Sequence, residues 1–178
     1  MKEYEHVTHT FGPVYNKNSN ILILGSMPSV KSREQQFYYG HPQNRFWKVL
    51  SAALGETEPD TIAEKKDFLL RNNIALWDVI ASCDIIGSSD SSIKNVKEND
   101  MNRILSAADI NAIFLNGGKA YELFMKYCGK YIHEGRPALV KLPSTSPANA
   151  AWSREKLTNT WREAISIMRE GVSVYHGV

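Results

Sequence analysis

Clustered cysteine, metal-ligand pairs and long apolar runs are all missing from this sequence. Its two cysteines, Cys83 and Cys128, lie far apart with no CxxC spacing, and its five histidines include no HxxxH pair. That excludes a disulfide framework and the common zinc motifs, and leaves both cysteines as small packing residues. No stretch reaches the roughly 20 apolar residues of a bilayer crossing, so a chain that stays off the membrane is expected. Met1 to Thr10 carries Lys2, Glu3, Glu5 and His6 and lacks the apolar core and cleavage site of a secretory signal, which makes the cytoplasm the expected location. Charge of one sign is scarce too. The formal net charge is +2, so any affinity for phosphate must be local rather than global. The phosphate-cradling GxxxxGK[ST], the dinucleotide GxGxxG and the nucleophile-elbow GxSxG are all absent, which argues against an NTPase, a dinucleotide-dependent oxidoreductase and an acyl-serine hydrolase.

What is present is an alternation. Four short apolar runs are each followed by Gly, Ser, Asp or Pro: Ile21 to Leu24, Ile74 to Ile80, Ala112 to Leu115, and Ala138 to Leu142. Between them lie stretches with apolar residues at helical spacing, over Asn44 to Leu54, Thr61 to Arg71 and Lys119 to Tyr127, and a last one after Ser153 as N-cap. The pattern predicts an α/β fold, a three-layer α/β/α sandwich around a short, mostly parallel four-stranded sheet, in one domain spanning residues 1–178. Residues 81 to 100, crowded with Ser82, Gly87, Ser88, Ser89, Asp90, Ser91 and Ser92, read as a surface loop, either a linker or a functional segment.

In a parallel sheet, ligands bind beyond the carboxyl ends of the strands, where loops converge and helix N-termini point outward. Those tips carry Gly25-Ser26-Met27-Pro28-Ser29, Asp78, Asn116-Gly117-Gly118 and Pro143-Ser144-Thr145-Ser146-Pro147. Taken singly, each reads as a turn with capping hydroxyls; together they read as one crevice. Asp78 has no second carboxylate at the tips, which disfavours two-metal phosphoryl chemistry, and no metal site is expected. The segment from Gln36 to Val49, QFYYGHPQNRFWKV, sets three adjacent aromatics before an amide, a cation and two more aromatics. Phe46 and Trp47 can be core and Tyr38 and Tyr39 can brace a loop. Equally, the rings can stack a planar base while Arg45 and Lys48 meet phosphate.

His41-Pro42-Gln43-Asn44-Arg45-Phe46-Trp47-Lys48-Val49 resembles the HPxNRFWKV stretch of the mismatch-specific uracil/thymine DNA glycosylases. Gly25 to Ser29 and Leu142 to Pro147 stand where the uracil-DNA glycosylase superfamily has its two active-site motifs. Asn116-Gly117-Gly118 is similar to its third-strand NG turn. The GSxP, YYGHPxN and LPSTSPA combination most resembles the hypoxanthine (deoxyinosine) DNA glycosylase branch. Met27 stands where other branches carry an Asn or Asp serving the hydrolytic water, Leu142 where they carry His or Asn, and Ser29 where a glycine is usual.

The resemblance implies a monofunctional DNA N-glycosylase that needs no cofactor and works as a monomer on DNA containing a deaminated base. It implies Asn44 as the catalytic residue, holding water by its amide oxygen; the bland reading of Asn44 is a helix cap. Gly25, Ser26, Met27, Tyr39, Phe46, Asp78 and Asn116 become candidates for the base pocket, and Ser144, Thr145, Ser146 and Pro147 for the DNA backbone. Uracil or G:T/G:U mismatch glycosylase activity, or an inert DNA-binding module on the same fold, are the alternatives.

Overall fold

A computed structural model describes residues 3–170; Met1, Lys2 and residues 171–178, which the expected single domain includes, lie outside the described residues. In chain order the elements are β1 (Glu5–Thr8), β2 (Ile21–Gly25), α1 (Val30–Gln35), α2 (Phe46–Leu54), α3 (Ile62–Arg71), β3 (Ile74–Asp78), β4 (Ile80–Ile85), β5 (Lys94–Glu98), α4 (Asn102–Leu105), β6 (Ala112–Asn116), α5 (Gly118–Cys128), β7 (Ala138–Leu142) and α6 (Arg154–Arg169), with 3-10 turns at Asp90–Ser92 and Gly129–Tyr131.

The four apolar runs form one parallel sheet in the order β3-β2-β6-β7. Every residue of β2 and β3 is buried, so both faces are covered, as continuous apolar strands require. The β2-to-β3 crossover, which contains α2 and α3, moves one way along the sheet, and the β6-to-β7 crossover, which contains α5, moves the other. Right-handed connections therefore place these helices on opposite faces. α6 packs on α2 and on β7. Its anchor is Trp161, fully buried, edge-on to Phe46 and Phe114 at 6.0 and 6.5 Å, with Nε1 donating to the carbonyl of Pro143 at 3.2 Å. Burying so large a ring while satisfying its one polar atom fixes helix, sheet and the start of the following loop together.

Helix ends follow their sequence signals. Thr61 and Glu64 make a capping box on α3, Ser153 caps α6, and Gly55 ends α2 in the left-handed conformation at φ 68°. Ser29, where the resemblance expects a glycine, has an extended backbone and caps α1, accepting from the N–H of Ser32; no positive φ calls for glycine there.

The structure corrects the reading of residues 81 to 100. Half of them are strand: β4 pairs antiparallel with β1 on one side and β5 on the other, forming a second, three-stranded sheet. Its strands alternate weakly and β5 is half solvent-facing, so no apolar period announced them. Arg33 and Glu5 join α1 to β1 at 3.6 Å. Val7, Cys83 and Ile85 of the ribbon belong to the same buried cluster as the parallel sheet.

Candidate active site

All four parallel strands end toward one crevice, between loops that leave β2 and β6 in opposite directions, the position at which open α/β sheets bind ligands. A cavity of about 890 Å³ lies instead around Asn111, Arg136, Ala138 and Met168, at the opposite ends of β6 and β7, remote from the residues singled out by sequence.

A hydrogen-bond chain with fixed polarity crosses the crevice. The backbone N–H of Phe46 donates to Oδ1 of Asn44 at 3.0 Å, and Oγ1 of Thr145 donates to the same oxygen at 2.9 Å. Because a backbone N–H can only donate, the atom facing Phe46 must be the amide oxygen. The N–H of Thr145 likewise fixes Oδ1 of Asn116 at 3.0 Å. Nδ2 of Asn116 then donates to Oγ1 of Thr145 at 3.0 Å and to Oη of Tyr39 at 3.1 Å. Both hydrogens of that amide are used. Nδ2 of Asn44 has no partner among the described residues, so Asn44 offers the crevice a donor, not an acceptor.

The capping role expected of Asn44 is therefore real, since its oxygen holds the first free amide of α2, whose N-cap Arg45 supplies no side-chain bond. The water-holding role expected for that oxygen is not available, because both its lone pairs are engaged.

Tyr39 is half-buried and held at φ 55°. Its ring stacks on Phe46 at 4.0 Å and 20°. Phe46 itself is completely buried. The two expected stacking rings thus form a two-layer platform: Tyr39 can face a base, and Phe46 backs it. Burial, and then the charge of Asp78, push the Tyr39 hydroxyl far above its ordinary range, so it stays protonated.

Gly25 is required by this arrangement. A Cβ there would come within 2.6 Å of Asp78 Oδ1 and 2.9 Å of Tyr39 Oη. The carbonyls of Gly25 and Ser26 accept from Val79 and Ile80 at 2.9 and 3.1 Å, while the N–H groups of Ser26 and Met27 have no acceptor among the described residues. Met27 lays its side chain against the core. Asp78 is buried and accepts from, or pairs with, Nε2 of His9 at 2.8 Å, both side chains being almost inaccessible. His9, from the segment after β1, was not foreseen; one histidine in a polar N-terminal stretch gives no signal of its own.

Asn116 leads into Gly117, whose φ of 98° and position against Ser144, 2.9 Å from a would-be Cβ, both demand glycine. Thr145 is fully buried and its amide, carbonyl and hydroxyl are all bonded within the protein, which removes it as a phosphate contact. Ser144 and Ser146 accept from the backbone at 3.1 and 3.2 Å, and their own O–H groups have no acceptor among the described residues. Pro147 and Ala148 are exposed at the tip.

Arg45 is also spent, whereas Lys48 makes only an exposed ion pair. Arg45 donates through its backbone and Nε to the carbonyl of Thr145, through Nη2 to those of Ser146 and Asn149 at 2.9 and 3.1 Å, and through Nη1 to that of Trp152. It clamps the loop after β7 to the start of α2. Lys48 pairs with Glu58 at 3.4 Å.

The 3-10 turn after β4 closes one side of the crevice. Val30 donates to Oγ of Ser88 at 3.0 Å, and Oγ of Ser26 donates to Oδ1 of Asp90 at 3.1 Å.

Residues 13–165 match the family model described as the uracil DNA glycosylase superfamily. A protein of Methanosarcina acetivorans named hypoxanthine DNA glycosylase is 38% identical over 150 residues, covering 82% of this chain and 90% of that one. A protein of the same name from Methanosarcina barkeri is 35% identical over 123 residues, 67% of this chain and 78% of the relative. A solution NMR structure from Methanosarcina acetivorans, of a protein provisionally named a uracil DNA glycosylase, superposes with a TM-score of 0.72 at 34% identity, covering 87% of this chain and 94% of the other.

Proposed function

The chain belongs to the uracil DNA glycosylase superfamily, and on that footing we propose that it excises hypoxanthine from DNA containing deoxyinosine. The observation that carries the choice of base is the name shared by the two Methanosarcina relatives. The reaction it implies is hydrolysis of the bond between the base and C1′ of a flipped-out nucleotide.

The base lies on the ring of Tyr39, with Phe46 behind it. A platform backed this way resists the tilt that would let a base slide out. The unpartnered amides of Ser26 and Met27 donate to the oxygen of the base edge, where charge gathers as the base leaves. Nδ2 of Asn44 donates to the departing base or to the oxygen of the attacking water, its direction set by the Phe46 and Thr145 bonds on the other atom. Asn116 acts through Tyr39 and Thr145 rather than by touching the base. Asp78 and His9 form the floor. Ser144 and Ser146 give their hydroxyls to the DNA backbone, and Pro147 enters the gap the base leaves.

Among the described residues no helix is long and apolar enough to cross a membrane. The proposal includes a monomer acting in the cytoplasm.

Duplexes carrying one deoxyinosine or one deoxyuridine, treated with protein and then alkali, test the reading. Strand cleavage at deoxyinosine, with free hypoxanthine recovered, is the expected result. Cleavage at deoxyuridine alone would move the chain to a uracil-excising activity, and binding without base release would make it an inert module.

A further inference from the structure

Hydrolysis needs an acceptor for the proton of the attacking water, and the groups considered so far do not supply one. The oxygen of Asn44 is saturated, and an amide is a poor base in any case. Asp78 is turned onto His9 with its side chain 5% exposed.

A second carboxylate reaches the crevice from the second sheet. Asp90 opens the 3-10 turn between β4 and β5. Bonds from Ser89 to Ile86, from Ser92 to Ser89 and from Ile93 to Asp90 hold this turn at 3.0, 3.0 and 3.3 Å. The turn is fastened to the first loop by the Ser26–Asp90 and Val30–Ser88 bonds. Oδ1 of Asp90 accepts from Ser26; Oδ2 has no partner among the described residues. The groups that face it are Ser26 from the β2 loop, Lys119 from the first turn of α5, Asp78 from the end of β3 and Tyr39 from the segment before α2.

We propose that Asp90 is a catalytic residue of this site, accepting through Oδ2 the proton of the water that attacks C1′. This rests on the glycosylase reading above. The C1′–N bond breaks with its electron pair leaving on the base, the water oxygen bonds to C1′, and the proton released goes to the Asp90 carboxylate. Asp90 then returns that proton to the departed base or to solvent, leaving an abasic sugar. A carboxylate at this place serves no phosphate contact, which it would repel, so its position against the Ser26 hydroxyl favours chemistry over DNA grip.

Asp90 lies at the exposed surface, yet partial desolvation of its carboxyl raises it above the ordinary range; the Ser26 hydroxyl and Lys119 pull it down, and Asp78 pushes it up. Proton acceptance needs the ionised form, so base release should fall as pH drops through this raised value. The same shift sets a stability sign. With the folded value above the unfolded one, the folded state binds more protons between the two, and stability declines as pH rises through that window. Removing the charge by Asp90→Asn therefore should not lower the melting temperature at neutral pH.

The experiment is single-turnover release of hypoxanthine from a deoxyinosine duplex across pH, for wild type, Asp90→Asn and Ser26→Ala. Binding to a duplex with a tetrahydrofuran abasic analogue and thermal melting are measured alongside. Asp90→Asn is expected to lose about 100-fold or more in rate, with unchanged melting and binding within about threefold. Ser26→Ala, which deletes the bond that draws the carboxyl down, is expected to move the acidic limb to higher pH. A wild type that releases no base removes both readings. An active wild type with an undiminished Asp90→Asn variant, or an acidic limb unmoved in Ser26→Ala, overturns the role of Asp90 and leaves the glycosylase reading standing.

Discussion

Replacing Asn44 by Ala and by Asp separates the two things its side chain does. Ala leaves the Phe46 amide and the Thr145 hydroxyl without their acceptor, a loss of about 1–2 kcal/mol by urea unfolding. Asp keeps the acceptor and adds a charge that the first turn of α2 favours, so stability should stay within about 0.5 kcal/mol. Asp nevertheless deletes the side-chain amide hydrogens that Asn44 turns to the crevice. Both variants should lose base release by about 100-fold or more, a typical cost of one aimed donor. An active Asn44→Asp would reduce Asn44 to a cap. At this scale the sequence names residues that the structure brings together but not the direction of their bonds. The resemblance marked Asn44, the aromatic segment before α2 marked Tyr39, and the strand-end loops marked Gly25 and Asn116. It could not tell that Phe46 N–H and Thr145 O–H would take the Asn44 oxygen, since that depends on a residue about 100 positions away. A separation of 69 positions likewise hid His9 beneath Asp78.

Loops and strands were legible according to how they bury apolar surface. β2, β3 and β6 announced themselves because both of their faces are inside, and β7, half-buried over Ala138 to Val140, by its short apolar run alone. β1 and β5, EHVT and KNVKE, bury little on either face, and their pairing with β4 leaves no apolar period to read. Arg45 was misread for a related reason: a cation beside a candidate site looks like a phosphate ligand until its carbonyl partners are known. Its fork spans the carbonyls of Thr145, Ser146, Asn149 and Trp152, which a single ammonium cannot match. Arg45→Lys should therefore loosen the loop after β7 without unfolding the sheet. Hydrogen exchange is expected to accelerate about tenfold for amides of residues 144 to 152, equivalent to about 1.4 kcal/mol of local stability. Exchange in β2 and β6 should be unchanged, and DNA affinity should weaken as Ser144 and Ser146 lose their fixed positions. Equal acceleration throughout would mean that Arg45 holds the fold and not the loop.

Across the whole molecule, a net charge of +2 must serve a polyanionic substrate, and the structure narrows which cations can take part. Arg45 is consumed by carbonyls, Lys48 shares an exposed ion pair with Glu58, and Arg71 and Lys130 face Glu56 and Glu98 away from the crevice. Lys119 and Lys141 remain beside the N-terminus of α5, with Lys119 in a loose pair with Glu122 at 3.7 Å and Lys141 Nζ within 3.9 Å of a would-be Cβ on Gly118. Two phosphate contacts imply a slope of about −2 in log affinity against log salt, since each neutralised phosphate contributes roughly −0.9. Fluorescence anisotropy with an abasic-analogue duplex between low and moderate salt measures it directly. Replacing Lys119 and Lys141 together by Ala should bring the slope close to zero while leaving the hydroxyl and amide contacts of Ser144 and Ser146 in place. A wild-type slope of about −5 or steeper would require a basic face elsewhere on the molecule, and the DNA would then lie across a different surface from the one the strand ends define. A shallow slope instead ties binding to short-range groups in the crevice. In that case affinity should fall with every change that disturbs the chain from Tyr39 to Asn44, and hardly at all with changes to the exposed charges of α3.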